Sequence, residues 1–363
     1  MIKDISAQQQ RRSKTSGHAP SSPPLLSVQG LSKHFAIYGG VLGRKRAIVH
    51  AVDDISFTVQ RGETLGVVGE SGCGKSTTAR LVMDLIQRDD GIITLDGAVV
   101  GSKDGLNRRN LYRQMQMVFQ DSYASLNPRL PIAVSVAFGA FVHGVSKPAA
   151  LRQASELLAA VGLDPKLFSN RYPHELSGGQ RQRANIARAL ALQPRIILLD
   201  EAVSALDKSV EAQVLNLLYD LKTTLNLTYV FISHDLNVVR YISDRVMVMY
   251  LGKVMEIGPV NELYRQPLHP YTKALLSAMP SMDPSRRTVE PPLAGDPPNP
   301  INLPSGCRFR TRCHHAELIC EKNIPILTAS PITPSHSVAC HMCNGASGHS
   351  RSVEITTGLG EVP

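Results

Sequence analysis

The chain predicts an α/β fold built on a mainly parallel sheet, because short apolar runs alternate along it with stretches of helical period. Two runs carry most of that reading. Residues 64–68 are apolar, end at a glycine-rich turn and pass into a helical pattern over 75–86. Residues 196–199 form a continuous apolar stretch between Pro194 and Asp200, as a strand buried on both faces does. With 363 residues, 43% hydrophobic and 19% charged, the chain can bury a core and carry an appendage, and is too apolar to be disordered.

Taken in order, residues 1–24 combine Gln, Ser, Pro and basic side chains without an apolar segment, and read as a flexible tail with no secretory signal. Strands are expected at 25–29 and 55–59, separated by a basic loop containing Gly39, Gly40 and Gly43. After the strand at 64–68 and its helix come short strands at 92–95 and 115–119. The pattern over 121–172 is helical, with Leu151, Ala154, Leu157, Leu158 and Val161 at helical spacing. Between 208 and 225, Val210, Val214, Leu217, Leu218, Leu221 and Leu225 form one stripe, a core-facing helix. Strands at 228–232, 245–250 and 253–257 follow, with a short helix after Asp235.

Residues 281–305 are rich in proline and polar groups and read as a linker or irregular lobe; a cysteine cluster follows, then a Gly/Ser tail at 344–363. No stretch reaches about 18 consecutive apolar residues, so no membrane span is expected. Six cysteines without a leader point to a reducing compartment, where clustered thiols serve as ligands more often than as disulfides. The net charge of +9 suits an anionic partner and equally suits mere solubility.

The turn after residue 68 reads Gly69-Glu70-Ser71-Gly72-Cys73-Gly74-Lys75-Ser76-Thr77. This is the G-x-x-x-x-G-K-[ST] pattern, lying between a strand and a helix as its chemistry requires. Glycines let successive N–H groups converge on phosphates, the helix N-terminus adds a positive dipole end, Lys75 reaches the β- and γ-phosphates, and Ser76 can hold Mg²⁺. Cys73 is a small residue that fits the loop. Downstream, the apolar strand ends in Asp200 and Glu201. That pair would set one carboxylate on the metal and the other on the attacking water. Leu176-Ser177-Gly178-Gly179-Gln180 precedes a helix-forming run, with Ser177 placed to cap it.

The order of phosphate loop, Gln120, Leu176 to Gln180, acidic strand, Ser204-Ala205-Leu206-Asp207 and Ser233-His234-Asp235 resembles the ATP-binding cassette (ABC) ATPases over residues 25–266. The resemblance implies a P-loop NTPase of ABC type: a RecA-like core, an antiparallel β subdomain and a helical signature subdomain at about 121–189. It implies that Gly69, Ser71, Gly72, Cys73, Gly74, Lys75, Ser76 and Thr77 bind ATP, with Mg²⁺ on Ser76, Gln120 and Asp200. Glu201 would be the base, His234 the γ-phosphate clamp, and Gln120 a sensor of metal and water. Ser177, Gly178, Gly179, Gln180 and Asp207 would contact ATP of a second ATPase in trans. Phe35, just after the first strand, matches the adenine-stacking aromatic, with Tyr38 as competitor and core packing as the plain alternative. Where the family usually has Pro-Thr after the glutamate, this chain has Ala202-Val203, both structural positions.

Residues 267–343, with His269-Pro270-Tyr271-Thr272 and the run from Pro304 to Cys313, resemble the oligopeptide/dipeptide importer branch of that family. Cys307, Cys313, Cys320 and Cys340 are not spaced as a zinc ribbon; they could hold a [4Fe–4S] cluster or Zn²⁺, or be reduced structural thiols, with Cys343 spare. The branch implies the cluster. It also implies a heterodimer with a second ABC ATPase, two membrane permeases and an external binding protein, at the cytoplasmic face of the membrane. The expected function is an ATP-hydrolysing subunit that energises import of di- or oligopeptides. Glutathione, a sugar or nickel is the alternative cargo. A soluble ABC protein of translation or DNA maintenance is the alternative class, but no inserted module is visible between Gly69 and His234, so no nucleic acid partner is expected.

Overall fold

The computed structural model describes residues 23–39, 44–279, 298–331 and 333–352. The expected N-terminal tail up to residue 22, most of the proline-rich linker and the chain from 353 onward lie outside them.

Strands β1 (Leu26–Gly39) and β2 (Arg44–Val59) pair antiparallel. Both run far beyond the short strands expected, and most of the segment read as a loop belongs to their far ends. The reason is physical: Phe35, Ile37 and Tyr38 stand in solvent, so no buried face imposes alternation there. Register shifts between Val28 and Leu31, Lys33 and His34, and Ile37 and Tyr38 break the period as well. Phe35 therefore lies within β1, opposite Val49, and not after it.

Strand β3 (Thr64–Val68) is buried throughout and enters the glycine turn and helix α1 (Lys75–Val82). That helix stops a turn earlier than its apolar pattern suggests, since Asp84 takes a left-handed φ of 53°. Strands β4 (Asp90–Leu95) and β5 (Ala98–Val99) complete an antiparallel sheet of order β2-β1-β4-β5. Helix α2 (Arg108–Gln114) and β6 (Met115–Val118) precede a helical segment of α3 (Ile132–Val142), α4 (Lys147–Ala160), α5 (Pro165–Phe168) and α6 (Gly178–Leu190). Next come β7 (Ile196–Asp200), α7 (Lys208–Leu225), β8 (Thr228–Ile232), α8 (Leu236–Ile242), β9 (Arg245–Tyr250) and β10 (Lys253–Pro259). The C-terminal part adds α9 (Val260–Arg265), α10 (Pro270–Ser277), α11 (Leu318–Lys322), β11 (Thr328–Ala329) and β12 (Ser337–Val338).

The larger sheet has the order β11-β12-β10-β9-β3-β8-β7-β6. From β9 to β6 its strands are parallel; β10, β12 and β11 extend one edge antiparallel. Side chains alternate between two cores as strand geometry demands. Ile197, Leu199, Tyr229 and Phe231 face the helical side, and Ile196, Leu198, Val230 and Ile232 face the side covered by α1 and the antiparallel sheet. Burial on both faces is why these strands read as unbroken apolar runs.

The C-terminal extension is bound to this framework. Fully buried Glu256 on β10 accepts hydrogen bonds from the backbone N–H groups of Leu268 (2.7 Å) and His269 (3.0 Å), and lies 2.7 Å from Nε2 of His336. The region expected as a tail from Asn344 stays packed as far as Ser352: His349 is buried and meets the His315 carbonyl at 2.9 Å.

Candidate active site

The carboxyl ends of β3, β6, β7 and β8 lie along one edge of the parallel sheet, and each delivers one of the sequence motifs. Open parallel sheets place ligands at this edge. After β3, Gly69 takes φ +147° and Gly74 φ +106°. A Cβ on Gly69 would stand 2.2 Å from the Met249 carbonyl oxygen, and one on Gly74 2.2 Å from that of Ala51. Only glycine fits at both points, so the loop passes close against β9 and β2.

Helix α1 begins at Gly74 without a side-chain cap, which leaves its first N–H groups for an anion. Lys75 is buried, and its Nζ donates to the carbonyls of Gly69 (2.8 Å) and Glu70 (3.0 Å). These are neutral acceptors that a phosphate oxygen would outcompete. Ser76 Oγ donates to Asp200 Oδ1 at 2.8 Å. Burial pushes the Asp200 carboxyl up, against the pull of the Ser76 bond and of Arg80 and Lys75. A hydroxyl and a buried carboxylate in contact are the oxygen donor set that suits Mg²⁺.

Glu201 follows in the left-handed region at φ 47°, a strained setting for a non-glycine residue. Its backbone N–H donates to the Ile232 carbonyl at 3.0 Å. Its Oε2 accepts from Gln120 Nε2 at 2.9 Å and lies 3.5 Å from Nδ1 of His234. Three motifs far apart in sequence thus meet at one carboxylate. Ser204, quoted in the sequence but given no role, donates from Oγ to the Glu201 carbonyl at 2.9 Å and helps fix this turn.

Phe35 and Tyr38 are 40% and 68% exposed, so neither is core packing. Phe35 pairs with Val49, two residues from the Ala51 carbonyl that touches the phosphate loop. An exposed aromatic beside that loop can stack on a base.

Ser177, Gly178, Gly179 and Gln180 lie at the start of α6. Ser177 Oγ accepts from the Gln180 N–H (3.3 Å) and the Gln180 side chain accepts from the Ser177 N–H (2.9 Å), a reciprocal capping box. A Cβ on Gly179 would meet Val210 Cγ1 at 2.4 Å, so α6 and α7 approach closely there. Asp207 stands exposed as the N-cap of α7. Buried Asn185 on α6 donates to the Ser122 carbonyl at 2.9 Å, and Arg188 to that of Ser125, which ties the signature helix to the chain just after Gln120.

Cys307, Cys313, Cys320 and Cys340 lie close enough that a thiolate on any one would repel a thiolate on the others. Burial pushes the Cys307 thiol up to about 12 and raises the Cys313 and Cys320 thiols too. A hydrogen bond shared with Cys343 raises Cys340 and lowers Cys343. Among the described residues, no group of three or more His, Cys, Asp or Glu side chains could hold a metal ion. The expected iron–sulfur cluster and its zinc alternative therefore find no support, and Cys343, expected as a spare, is bonded within the set.

Comparison with known proteins gives two family matches. Residues 52–204 match the ABC transporter family, and residues 255–320 match the oligopeptide/dipeptide transporter C-terminal region. A protein of Sinorhizobium fredii, named "Probable peptide ABC transporter ATP-binding protein", is 49% identical over 322 residues, covering 88% of this chain and 90% of the relative. An oligopeptide transport ATP-binding protein of Bacillus subtilis is 48% identical over 330 residues, covering 89% and 99%. Among solved structures, cbiO1 of Clostridium perfringens, part of the ABC transporter complex cbiONQ, aligns with a TM-score of 0.57 at 26% identity, covering 68% of this chain and 92% of that one. An ATP-binding cassette solved as a post-hydrolysis dimer with ADP and Pi aligns with a TM-score of 0.55 at 28% identity, covering 65% and 98%.

Proposed function

The chain belongs to the ABC ATPases of the oligopeptide/dipeptide transporter family, and from that premise we propose that it is the subunit whose ATP hydrolysis energises import of di- or oligopeptides through membrane permeases. The observation that carries the enzymatic half is the pair of contacts at the sheet edge. The Ser76–Asp200 contact at 2.8 Å supports a metal site there, and the Gln120–Glu201 contact at 2.9 Å supports Glu201 as the carboxylate for water.

The roles divide accordingly. Lys75 and the loop N–H groups neutralise the β- and γ-phosphates, and Ser76 and Asp200 would hold Mg²⁺, which would supply further charge neutralisation. Glu201, oriented by Gln120 and His234, takes the proton of the attacking water, and His234 steadies the γ-phosphate. Phe35 stacks on the adenine. Ser177, Gly178, Gly179 and Gln180 at the start of α6, with Asp207 exposed at the start of α7, would close the nucleotide site of a second ATPase.

The peptide half rests on the match at residues 255–320 and on the names of the relatives. No helix among the described residues is long and apolar enough to cross a membrane, so the transport pathway would come from partner chains. These are two permeases, a second ATPase making a heterodimer and an external binding protein, with this chain peripheral on the cytoplasmic side. Co-purification in mild detergent from the native membrane tests this assembly. Two permeases and a second ATPase are expected; recovery only with ribosomes or DNA would contradict it.

A further inference from the structure

We propose that Arg312, on the C-terminal extension, is a positioning residue of the nucleotide site: it clamps Glu70 of the phosphate loop and neutralises that carboxylate beside the polyphosphate. The proposal deepens the ATP-site reading and rests on it.

The Arg312 side chain is only 5% exposed, and its guanidinium grips Glu70 in a two-pronged fork, Nη1 to Oε2 at 2.8 Å and Nη2 to Oε1 at 3.1 Å. Nη1 also meets the Tyr250 hydroxyl at 3.4 Å. The backbone of Glu70 is held from the same side, its N–H donating to the Tyr271 hydroxyl at 2.9 Å. Both halves of one loop residue are thus fixed by groups outside the loop. Two of these, Arg312 and Tyr271, belong to the C-terminal extension.

The clamp is itself rigidly mounted. Phe309 packs its ring against Tyr250, Tyr271 and His269 at centroid distances of 5.5, 5.3 and 5.8 Å. Arg312 follows on a 3-10 turn at Arg310–Arg312. Arg308 adds a second anchor through Asp53 on β2, at 2.5 Å. Strand β2 in turn supplies the Ala51 carbonyl against which Gly74 is packed. The extension therefore braces the loop at its start and, through β2, at its end.

Two consequences follow for ATP. The Glu70 carbonyl is one of the two acceptors holding Lys75, so displacing Glu70 displaces the lysine's tether. An unpaired, largely buried Glu70 carboxylate would also repel an incoming polyanion. Arg312 removes both penalties from a distance of 242 positions in sequence.

The test measures binding of a fluorescent ATP analogue by the full-length chain, together with KM for ATP and kcat. Arg312→Met is expected to weaken binding by ~10-fold or more, the loss appearing in KM more than in kcat. Adding Glu70→Gln to that variant is expected to recover most of the loss, because the uncompensated charge is gone. A merely structural role predicts the opposite, a double variant as weak as Arg312→Met or weaker, and that result overturns the proposal, as does unchanged binding in Arg312→Met. If Arg312→Met is not recovered folded, Arg312→Lys carries the test. A loss of ~3-fold or more that Glu70→Gln relieves supports the clamp, and no loss overturns it. Failure of the wild-type chain to bind the analogue would overturn the ATP-site reading along with the proposal.

Discussion

Gln120 donates from Nε2 to Oε2 of Glu201 at 2.9 Å, and His234 approaches the same oxygen at 3.5 Å. The glutamate is therefore oriented from both neighbouring strands, by residues that follow β6 and β8. Asp200, one residue earlier, points to Ser76 instead. Strand alternation and the left-handed turn at Glu201 send the adjacent carboxylates to different partners. One meets the Ser76 hydroxyl, the other the Gln120 amide and the His234 ring.

Lys75 is the residue on which affinity should depend most. Its ammonium is held by two carbonyls and by the Cys73 thiol at 3.8 Å, all neutral acceptors, so its charge is available to phosphate. Lys75→Ala is expected to weaken binding of a fluorescent ATP analogue by ~10-fold or more. Unchanged affinity would remove the loop from the nucleotide site.

Gly179 allows the proposed contact in trans to be tested apart from the chain's own loop. Because its Cβ would meet Val210 Cγ1 at 2.4 Å, even Gly179→Ala must shift α6 against α7, and Gly179→Asp more so. Binding at the chain's own loop should persist in Gly179→Asp, while ATP-driven dimerisation, followed by light scattering, is lost. Dimerisation at the wild-type ATP concentration would contradict the role in trans.

Much of this was legible in the sequence, for reasons that can be named. The strands at 228–232 and 245–250 and the helix at 208–225 match the structure residue for residue, because two buried faces or one apolar stripe leave a clean period. The long β1–β2 ribbon was obscured by its solvent-exposed half and its bulges. Each ATP-site motif was visible locally, yet their convergence is a property of strand order. The grip of Arg312 on Glu70 left no local signal, since the two are 242 residues apart. The cysteines are gathered, as their clustering suggested, but no metal-holding group is found among the described residues.

His269 predicts a pH dependence. Loss of solvation in the core depresses its pKa from 6.5 to about 4, while its Nδ1 accepts the Tyr271 N–H at 2.9 Å. Below pH 6.5 the unfolded chain takes up a proton that the folded chain refuses until about pH 4. Stability from the neutral ring is therefore full above pH 6.5 and lost as pH falls toward 4, by about 3 kcal/mol. His269→Asn, whose Oδ1 can accept the same bond, should remove about one proton from the slope of urea midpoint against pH. An unchanged slope would contradict the assignment.

Glu256 should be the keystone of the extension. Of its partners, His269 and His336 are buried with it and Leu268 is half-buried. Glu256→Leu leaves them unpaired and is expected to cost about 3–5 kcal/mol. A lower melting temperature and faster protease cleavage after residue 260 are the readouts; an unaltered cleavage pattern would show the extension is held by other means.

The most direct test of the account is ATP turnover by the complete transporter in lipid vesicles, with and without Glu201→Gln, as peptide-loaded binding protein is added. Hydrolysis that peptide stimulates is expected. In Glu201→Gln, turnover falls by ~100-fold or more while ATP still binds. Near-normal turnover in the variant, or hydrolysis indifferent to peptide, would contradict it.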